Sequence, residues 1–411
     1  MQIFPSKSEC CGCSACKQIC PKGAIAMKTD SEGFLYPQID VSLCIECGAC
    51  QKICAFQNGY EKNHSKTAYA IKHKDFNTRF TSRSGAAFIA LSDYILNKKG
   101  SVYGAAFQDD FSVSHIRATD RYVRDKFKGS KYVQSDMKDT FKSVKNDLNN
   151  DMYVMFSGTA CQVAGLKRYL GKCDTSKLYT CDIACHGVPS PIIWKEYLKH
   201  CEKKFCGKVT KADFRDKTIG WNTHKEAIWI DDNKHILNGY TYLFYENDIE
   251  RPSCYNCKYS NLERPADLTL ADFWGIDRVV ENFNDNKGVS LLLVNSEKGS
   301  RILNKVIDNI HCVECDLNAS IKSNPNLSRP TAKPDSREDF WDFYYKNGFE
   351  KTFKKYYNKI RIKKIKRRIK LKFYSLKNKV SKLHLLLNLR RIYEIIICLT
   401  LNFSSSAFLC I

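Results

Sequence analysis

The sequence predicts an α/β protein built in several units: a small cysteine-rich α+β unit first, a larger α/β body next, and a basic helix last. Three observations carry that prediction. Nine of the 21 cysteines fall before residue 55, and eight of the nine form two copies of one spacing. Short apolar runs that end in polar turns and lead into helical stretches recur between residues 101 and 200. Beyond residue 360, apolar residues step by three or four through a segment dense in Lys and Arg. With 411 residues, 43% hydrophobic and 27% charged, the chain has room for more than one core and reads as globular, which excludes collagen-like, disordered and polytopic membrane classes.

The formal charge of +22 is unevenly spread. Residues 351–391 hold 17 Lys and Arg and no acid, while residues 1–350 carry a surplus of only about 6, so a global nucleic-acid reading is weak. The N-terminal run Met1-Gln2-Ile3-Phe4-Pro5-Ser6-Lys7 lacks the apolar core of a secretion signal. The expectation is a cytoplasmic protein whose thiols stay reduced.

The first unit is read from its repeat. Cys10, Cys13, Cys16 and Cys20 have the spacing C-x2-C-x2-C-x3-C, and Cys44, Cys47, Cys50 and Cys54 repeat it. Three thiolates two residues apart on a tight loop hold three corners of an iron-sulfur cube, and the fourth, on a following helical turn, serves the other cube. The expected 4Fe-4S ligand sets are therefore Cys10, Cys13, Cys16 with Cys54, and Cys44, Cys47, Cys50 with Cys20. Zinc knots are the rival reading, but a tetrahedral ion gives no reason for the paired fourth cysteine in both copies. These runs, within residues 1–60, resemble the two-cluster bacterial ferredoxin motif. Pro21 follows Cys20 as in that pattern, whereas Ala55 replaces the proline after Cys54. Cys11 is surplus and is read as a packed thiol.

In the body, Ser101–Phe107 and Met152–Phe156 have strand character, and Val163–Leu170 reads as a helix opening after Ser157-Gly158-Thr159-Ala160-Cys161. Leu178–Ala184 is a further strand ending at Cys185-His186-Gly187-Val188-Pro189-Ser190, before a helical stretch over Ile192–His200. If these strands are parallel, Cys161 and Cys185 both lie at carboxyl ends, the edge where open α/β sheets build ligand sites. Cys254 and Cys257 complete a four-cysteine set. On spacing alone, a cluster and ordinary buried thiols are equally good readings of that set.

Ser157 to Gln162, Cys185 to Ser190, Phe214-Arg215-Asp216-Lys217 with Gly220-Trp221, Cys254-x2-Cys257 and Ala271-Asp272-Phe273-Trp274-Gly275 resemble the signature of the coenzyme F-420 hydrogenase/dehydrogenase beta subunit family. The resemblance runs from about residue 66 to 345 and includes Ser84-Gly85 and Gly129-Ser130-Lys131-Tyr132. It implies an iron-sulfur flavoprotein passing electrons between clusters, FAD and a hydride acceptor. It also implies Cys161, Cys185, Cys254 and Cys257 as ligands of a third 4Fe-4S cluster, with Cys181 the weaker candidate. Ala160, Ala86 and Ala271 depart from the family's proline, glycine and glycine.

No G-x-G-x-x-G follows a strand, so flavin binding rests on the resemblance. The candidates for cofactor contact are Ser84, Gly85, Gly129, Ser130, Lys131, Tyr132, Thr159, Gln162, Arg215 and Lys217. His186, beside a proposed ligand, is a candidate for moving a proton during hydride chemistry, with packing or capping as the equal alternative. Cys312 and Cys315 form another C-x2-C without a second pair and are read as structural thiols.

The expected boundaries are 1–60 for the two-cluster ferredoxin domain, 61–150 and 151–345 for the two parts of an α/β flavoprotein domain, and 346–411 for a basic amphipathic tail. Ile362, Ile365, Ile369, Phe373, Leu376, Val380, Leu383 and Leu387 form one apolar stripe, which suits peripheral attachment to an anionic membrane. The apolar run Ile392 to Ile411 is broken by Glu394, Asn402 and Ser404 to Ser406. The function expected is an oxidoreductase fed by a ferredoxin or another redox partner protein and acting on the deazaflavin coenzyme F-420 or another small organic substrate. The alternative is a non-catalytic, membrane-recruited electron relay whose catalytic partner is a separate chain.

Overall fold

The computed structural model describes residues 3–402, with side chains described through residue 367 and at 369 and 370. It divides into two compact units, Met1–Thr352 and a second that begins at Phe353.

A nine-stranded mixed sheet centres the first unit. Its order is Ile310–Cys315, Thr67–His73, Ser290–Val294, Leu268–Asp272, Leu178–Ile183, Val154–Thr159, Ser101–Phe107, Val113–Ala118 and Ser135–Asp136. The four strands from Leu268–Asp272 to Ser101–Phe107 run parallel to one another. The three on one flank pair antiparallel, as does Val113–Ala118 with Ser101–Phe107. The sheet is thus α/β at its centre and antiparallel toward its flanks.

The parallel centre is buried on both faces, which is why its strands read as unbroken apolar runs. Val154 and Phe156 pack with Tyr103, Phe141, Val163 and Leu166, while Met155 packs on the opposite face with Ile71, Leu91, Ile95 and Val102. Each fully buried side chain of this size contributes roughly 1.5–3 kcal/mol. The helix Ala87–Asn97 covers one face, and Thr140–Asn149 with Ala160–Leu170 covers the other.

Two boundaries differ from expectation. The strand begins at Val154, and its helix starts at Ala160, with no turn between them. The cause is local: the Thr159 side chain caps the Gln162 amide while Gln162 Oε1 accepts from Thr159 N at 2.8 Å, a capping box that lets the chain pass from strand to helix directly. Ser190 caps and Pro191 opens the helix Pro191–Phe205, longer at both ends than its apolar pattern indicated. An antiparallel sheet of Val209–Asp213, Glu226–Ile230 and Asn233–Leu237 had no expected counterpart. Its central strand opens on Glu226, a buried acid that accepts from Tyr197 Oη at 2.8 Å and Tyr240 N at 3.1 Å, so a polar residue interrupts the strand pattern there.

The N-terminal region folds as a hairpin, Ile25–Thr29 against Leu35–Ile39, with short helices Ala15–Ile19 and Ala49–Lys52. The last helix, Arg337–Asn402, is interrupted at Gly348, whose φ is 73°. In the second unit Ile362, Ile365 and Ile369 are exposed. The remaining stripe residues, Phe373, Leu376, Val380, Leu383 and Leu387, lie outside the described side chains, as do those of the run Ile392 to Ile411. Among the described residues no helix is long and apolar enough to cross a membrane.

Ser84-Gly85-Ala86 is a strained junction. A Cβ on Gly85 would lie 2.0 Å from Ile71 O and 2.6 Å from Ser290 N. Ala86 caps the next helix in the left-handed region, at φ 64° and ψ 25°. That conformation costs an L-residue roughly 1–2 kcal/mol, part of which glycine returns as unfolded-state entropy, so Ala86→Gly should stabilise by about 0.5 kcal/mol. Gly85→Ala should destabilise by about 2 kcal/mol or more through overpacking. Urea denaturation measures both, and an Ala86→Gly protein weaker than its parent would contradict the assignment of strain.

Candidate functional site

Twelve cysteines line three cavities. Cys10, Cys13, Cys16 and Cys54 surround the first, with Cys11 on its wall. Cys20, Cys44, Cys47 and Cys50 surround the second. Cys161, Cys185, Cys254 and Cys257 surround the third, together with His186, Tyr259 and Arg264. Each fourth cysteine of the repeat therefore sits with the triplet of the other copy. Cys20 ends the helix Ala15–Ile19 and Cys54 caps Ala55–Asn58, so both follow their triplets at a change of chain direction.

The third set is assembled by strand register. Thr159 pairs with Ile183 across parallel strands, so Cys161 and Cys185, each two residues further on, leave the same sheet edge side by side. The loop bearing Cys254 and Cys257 is tied there by backbone. Ser190 N donates to Ile249 O at 2.9 Å, and Arg251 N donates to Val188 O at 2.8 Å.

The donor chemistry fits iron-sulfur clusters. None of the 19 described cysteines is in a disulfide. Backbone N–H groups are aimed at the sulfurs: Ala24 N donates to Cys20 Sγ at 3.3 Å, and amides of Gly12, Lys17, Gln57, Gly187 and Tyr259 serve Cys10, Cys16, Cys54, Cys185 and Cys257. Such bonds stabilise anionic sulfur. Burial alone pushes the Cys10, Cys16, Cys185 and Cys254 thiols upward, so a metal must displace their protons on binding. Among the described residues no three of His, Cys, Asp and Glu form a site for a single metal ion.

The first and third cavities adjoin. Cys11 hydrogen-bonds both Cys13 and Cys161, and that bond is the main reason the Cys161 thiol is pulled down to about 7. A Cβ on Gly165, in the helix that opens with Cys161, would lie 2.9 Å from Cys13 Sγ, so glycine permits this approach. The sequence showed Cys11 as surplus; its place between two sets comes from the fold. Cys181 is buried in the sheet core, away from the third cavity. Cys312 and Cys315, three residues apart on one strand, pack into clusters on opposite sheet faces.

Beyond the third cavity, His186 Nε2 lies 2.8 Å from Asn247 Oδ1, and burial holds its imidazole below the ordinary range. Its ring meets Phe244 edge-on at 4.9 Å, and Phe244 stacks on Tyr132 at 4.4 Å. Tyr132 hydrogen-bonds Arg215, whose guanidinium pairs with Asp272 at 2.6 Å and stacks over Trp274. Lys217 Nζ donates to Arg79 O, Ser82 O and Ser84 O at 2.7, 2.9 and 3.2 Å. Lys131 Nζ donates to Lys126 O, Lys128 O and Gly129 O at 2.7, 2.8 and 3.2 Å. Ser84 Oγ donates to Val289 O at 2.7 Å, and Gly85 N donates to Ser290 Oγ at 2.9 Å. Gly129 turns at φ 78°, and Ser130 beside it is half-buried. Ser84, Gly85, Tyr132, Arg215 and Lys217 thus share one neighbourhood. Thr159 and Gln162 stand apart, spent on the helix cap beside Cys161.

Sequence reasoning missed two arginines and an acid. Arg264 is buried on the third cavity's wall, paired with Asp182 at 2.9 Å. Glu250 is fully buried with neither carboxylate oxygen hydrogen-bonded, and burial pushes its pKa well up. Arg251, next to it, is also fully buried. The only sequence signal was the adjacency of the last two to the C-x2-C loop.

Three four-cysteine cavities in series define an iron-sulfur electron-transfer protein. Residues 9–58 match the 4Fe-4S dicluster domain, and residues 151–319 match the family model for the C terminus of the coenzyme F-420 hydrogenase/dehydrogenase beta subunit. The chain belongs to that oxidoreductase family, with the dicluster domain placed ahead of the beta-subunit region. A ferredoxin of Methanocaldococcus jannaschii is 33% identical over 54 residues, 13% of this chain and 69% of that protein. A chain of the F-420-reducing nickel-iron hydrogenase complex of Methanosarcina barkeri is similar with a TM-score of 0.44 and 16% identity, over 71% of this chain and 91% of that one.

Burial, with the nearby Arg83 and Arg79 cations, lowers Lys217 from 10.5 to about 7. The folded chain therefore releases a proton that the unfolded chain keeps, and the stability linked to Lys217 is full above about 10.4 and lost as pH falls toward 7. Relative to a Lys217→Met variant, the parent should gain stability as pH rises from 7 to 10. Parallel urea titrations of the two proteins check this, and equal slopes would contradict it.

Proposed function

We propose that this chain is an electron-transfer oxidoreductase in which three 4Fe-4S clusters lead toward an FAD site and a small organic hydride partner, the deazaflavin coenzyme F-420 or another substrate. The observation that supports it most is the succession of three four-cysteine cavities, the first and third joined through Cys11 and the third continued by the rings of His186, Phe244 and Tyr132. Bound clusters supply single electrons, and a bound flavin would gather two for hydride exchange.

The residues act by holding and positioning. The twelve thiolates grip the clusters, and backbone amides compensate sulfur charge. His186, kept neutral and oriented by Asn247, can hold a proton on the path between the third cavity and Tyr132. The candidate flavin residues fit less freely. The ammonium groups of Lys131 and Lys217 are each engaged by three carbonyls, and Arg215 is paired with Asp272, so no step is assigned to a flavin.

That engagement favours the second reading, an electron relay that passes electrons from a ferredoxin or other redox protein to a separate catalytic chain. Membrane recruitment through the tail belongs to this reading, carried by the exposed Ile362, Ile365 and Ile369 among cations.

Anaerobic purification with iron, sulfide and flavin counted per chain separates the readings. About twelve irons with flavin support the oxidoreductase, and about twelve without flavin support the relay. Cys161→Ser with Cys185→Ser should remove about four irons and leave the ferredoxin pair filled; zinc in place of iron would sink both readings. The full chain should also co-sediment with anionic vesicles at low salt, and a chain ending at Thr352 should not. Equal sedimentation of the two would remove the tail's role.

A further inference from the structure

Arg251 is a buried cation without a counter-ion of the ordinary kind. It is 0% exposed, and among the described residues no Asp or Glu forms an ion pair with it. Its Nε donates to Cys10 O at 2.8 Å and its Nη2 to Leu35 O at 3.1 Å, while the same Nη2 lies 3.7 Å from Cys10 Sγ. The guanidinium sits 4.0 Å from the Tyr36 ring centroid. Nη1 has no hydrogen-bond partner, and the missing Cβ of Gly12 leaves the space it occupies, 3.0 Å from that position.

A buried, unpaired guanidinium is costly unless a permanent negative charge lies close. Cys10 is the group it faces. Neutral thiols would not repay that cost, whereas thiolate on an anionic cluster would.

We propose that Arg251 raises the reduction potential of the cluster held by Cys10, Cys13, Cys16 and Cys54, making it the electron-collecting member of the ferredoxin pair. The inference rests on the cluster reading above. A cluster that accepts one electron gains one negative charge, and a fixed cation against a ligand sulfur stabilises that form over the oxidised one. Arg251 reaches this position from the loop that carries Cys254, its carbonyl accepting from Cys254 N at 2.9 Å. The same side chain therefore ties the third ligand loop to the first cluster, and Arg251 is a positioning residue that acts through Cys10. The set of Cys20, Cys44, Cys47 and Cys50 has no contact with it among the described residues and serves as an internal reference.

The test is a redox titration followed by electron paramagnetic resonance on the full-length, anaerobically reconstituted protein, with iron and sulfide counted first. Arg251→Gln and Arg251→Met should each shift the reduction equilibrium of one cluster at least tenfold toward the oxidised form, about 59 mV for a one-electron couple. Arg251→Lys, which keeps the charge, should restore most of that shift, and the reference cluster should not move. Full iron with unchanged potentials in both neutral variants would overturn the proposal, as would equal movement of all three clusters. Loss of the first cluster from both neutral variants would overturn it too, because the arginine would then serve assembly and not potential. Parent protein without iron would instead remove the cluster reading itself.

Discussion

The pairing of Val154–Thr159 with Leu178–Ile183 is the constraint on which the site depends. Parallel strands in this register end level, at Thr159 and Ile183, and deliver Cys161 and Cys185 to the same edge of the sheet. A slip of one residue would turn one of the two sulfurs to the opposite face. The register is held by a core that uses both faces of each strand, Val154 and Phe156 on one side and Met155 on the other. Because the helix starts at Ala160 without an intervening turn, its first residues carry a cysteine and its second turn carries Gly165, against which Cys13 packs. One short element thus borders two cavities.

Charge in the interior follows the same geometry. Most buried cations of the first unit have carboxylates: Arg264 with Asp182, Arg215 with Asp272, and Arg337 with Glu32, its Nη1 at 3.0 Å from Glu32 Oε1. These pairs cost desolvation and return it through fixed hydrogen bonds, so they specify position more than they add stability. The Arg337 pair links the N-terminal hairpin region to the start of the last helix, and Arg251 links it to the third ligand loop. The dicluster region is therefore anchored to the body of the same unit by buried polar contacts as well as by Cys13 and Cys11.

The side of the third cavity away from the ferredoxin region is built differently. There the contacts are aromatic, His186 on Phe244 and Phe244 on Tyr132, and the cations beyond them are satisfied by carbonyls and Asp272. Packed rings and closed hydrogen bonds give a rigid surround with little polar capacity left over. A cofactor entering this neighbourhood would have to exchange existing protein contacts for its own.

Several features were legible from residues alone. The paired C-x2-C-x2-C-x3-C runs, the strands at Ser101–Phe107 and Leu178–Ile183, and the capping residues Thr159 and Gln162 all express local spacing, which sequence order carries directly. The flanking antiparallel strands and the Val209–Leu237 sheet were not legible, because buried acids such as Glu226 and pairings more than two hundred residues apart, as of Ile71 with Ser290, leave no periodic trace. What the sequence determined by itself was the donor chemistry: which cysteines come in sets, and where a basic helix follows. Only the tertiary structure decided that Cys11 lies between two of those sets and that Arg251 and Glu250 are buried beside them, since burial and proximity arise from chain crossings that no local pattern encodes.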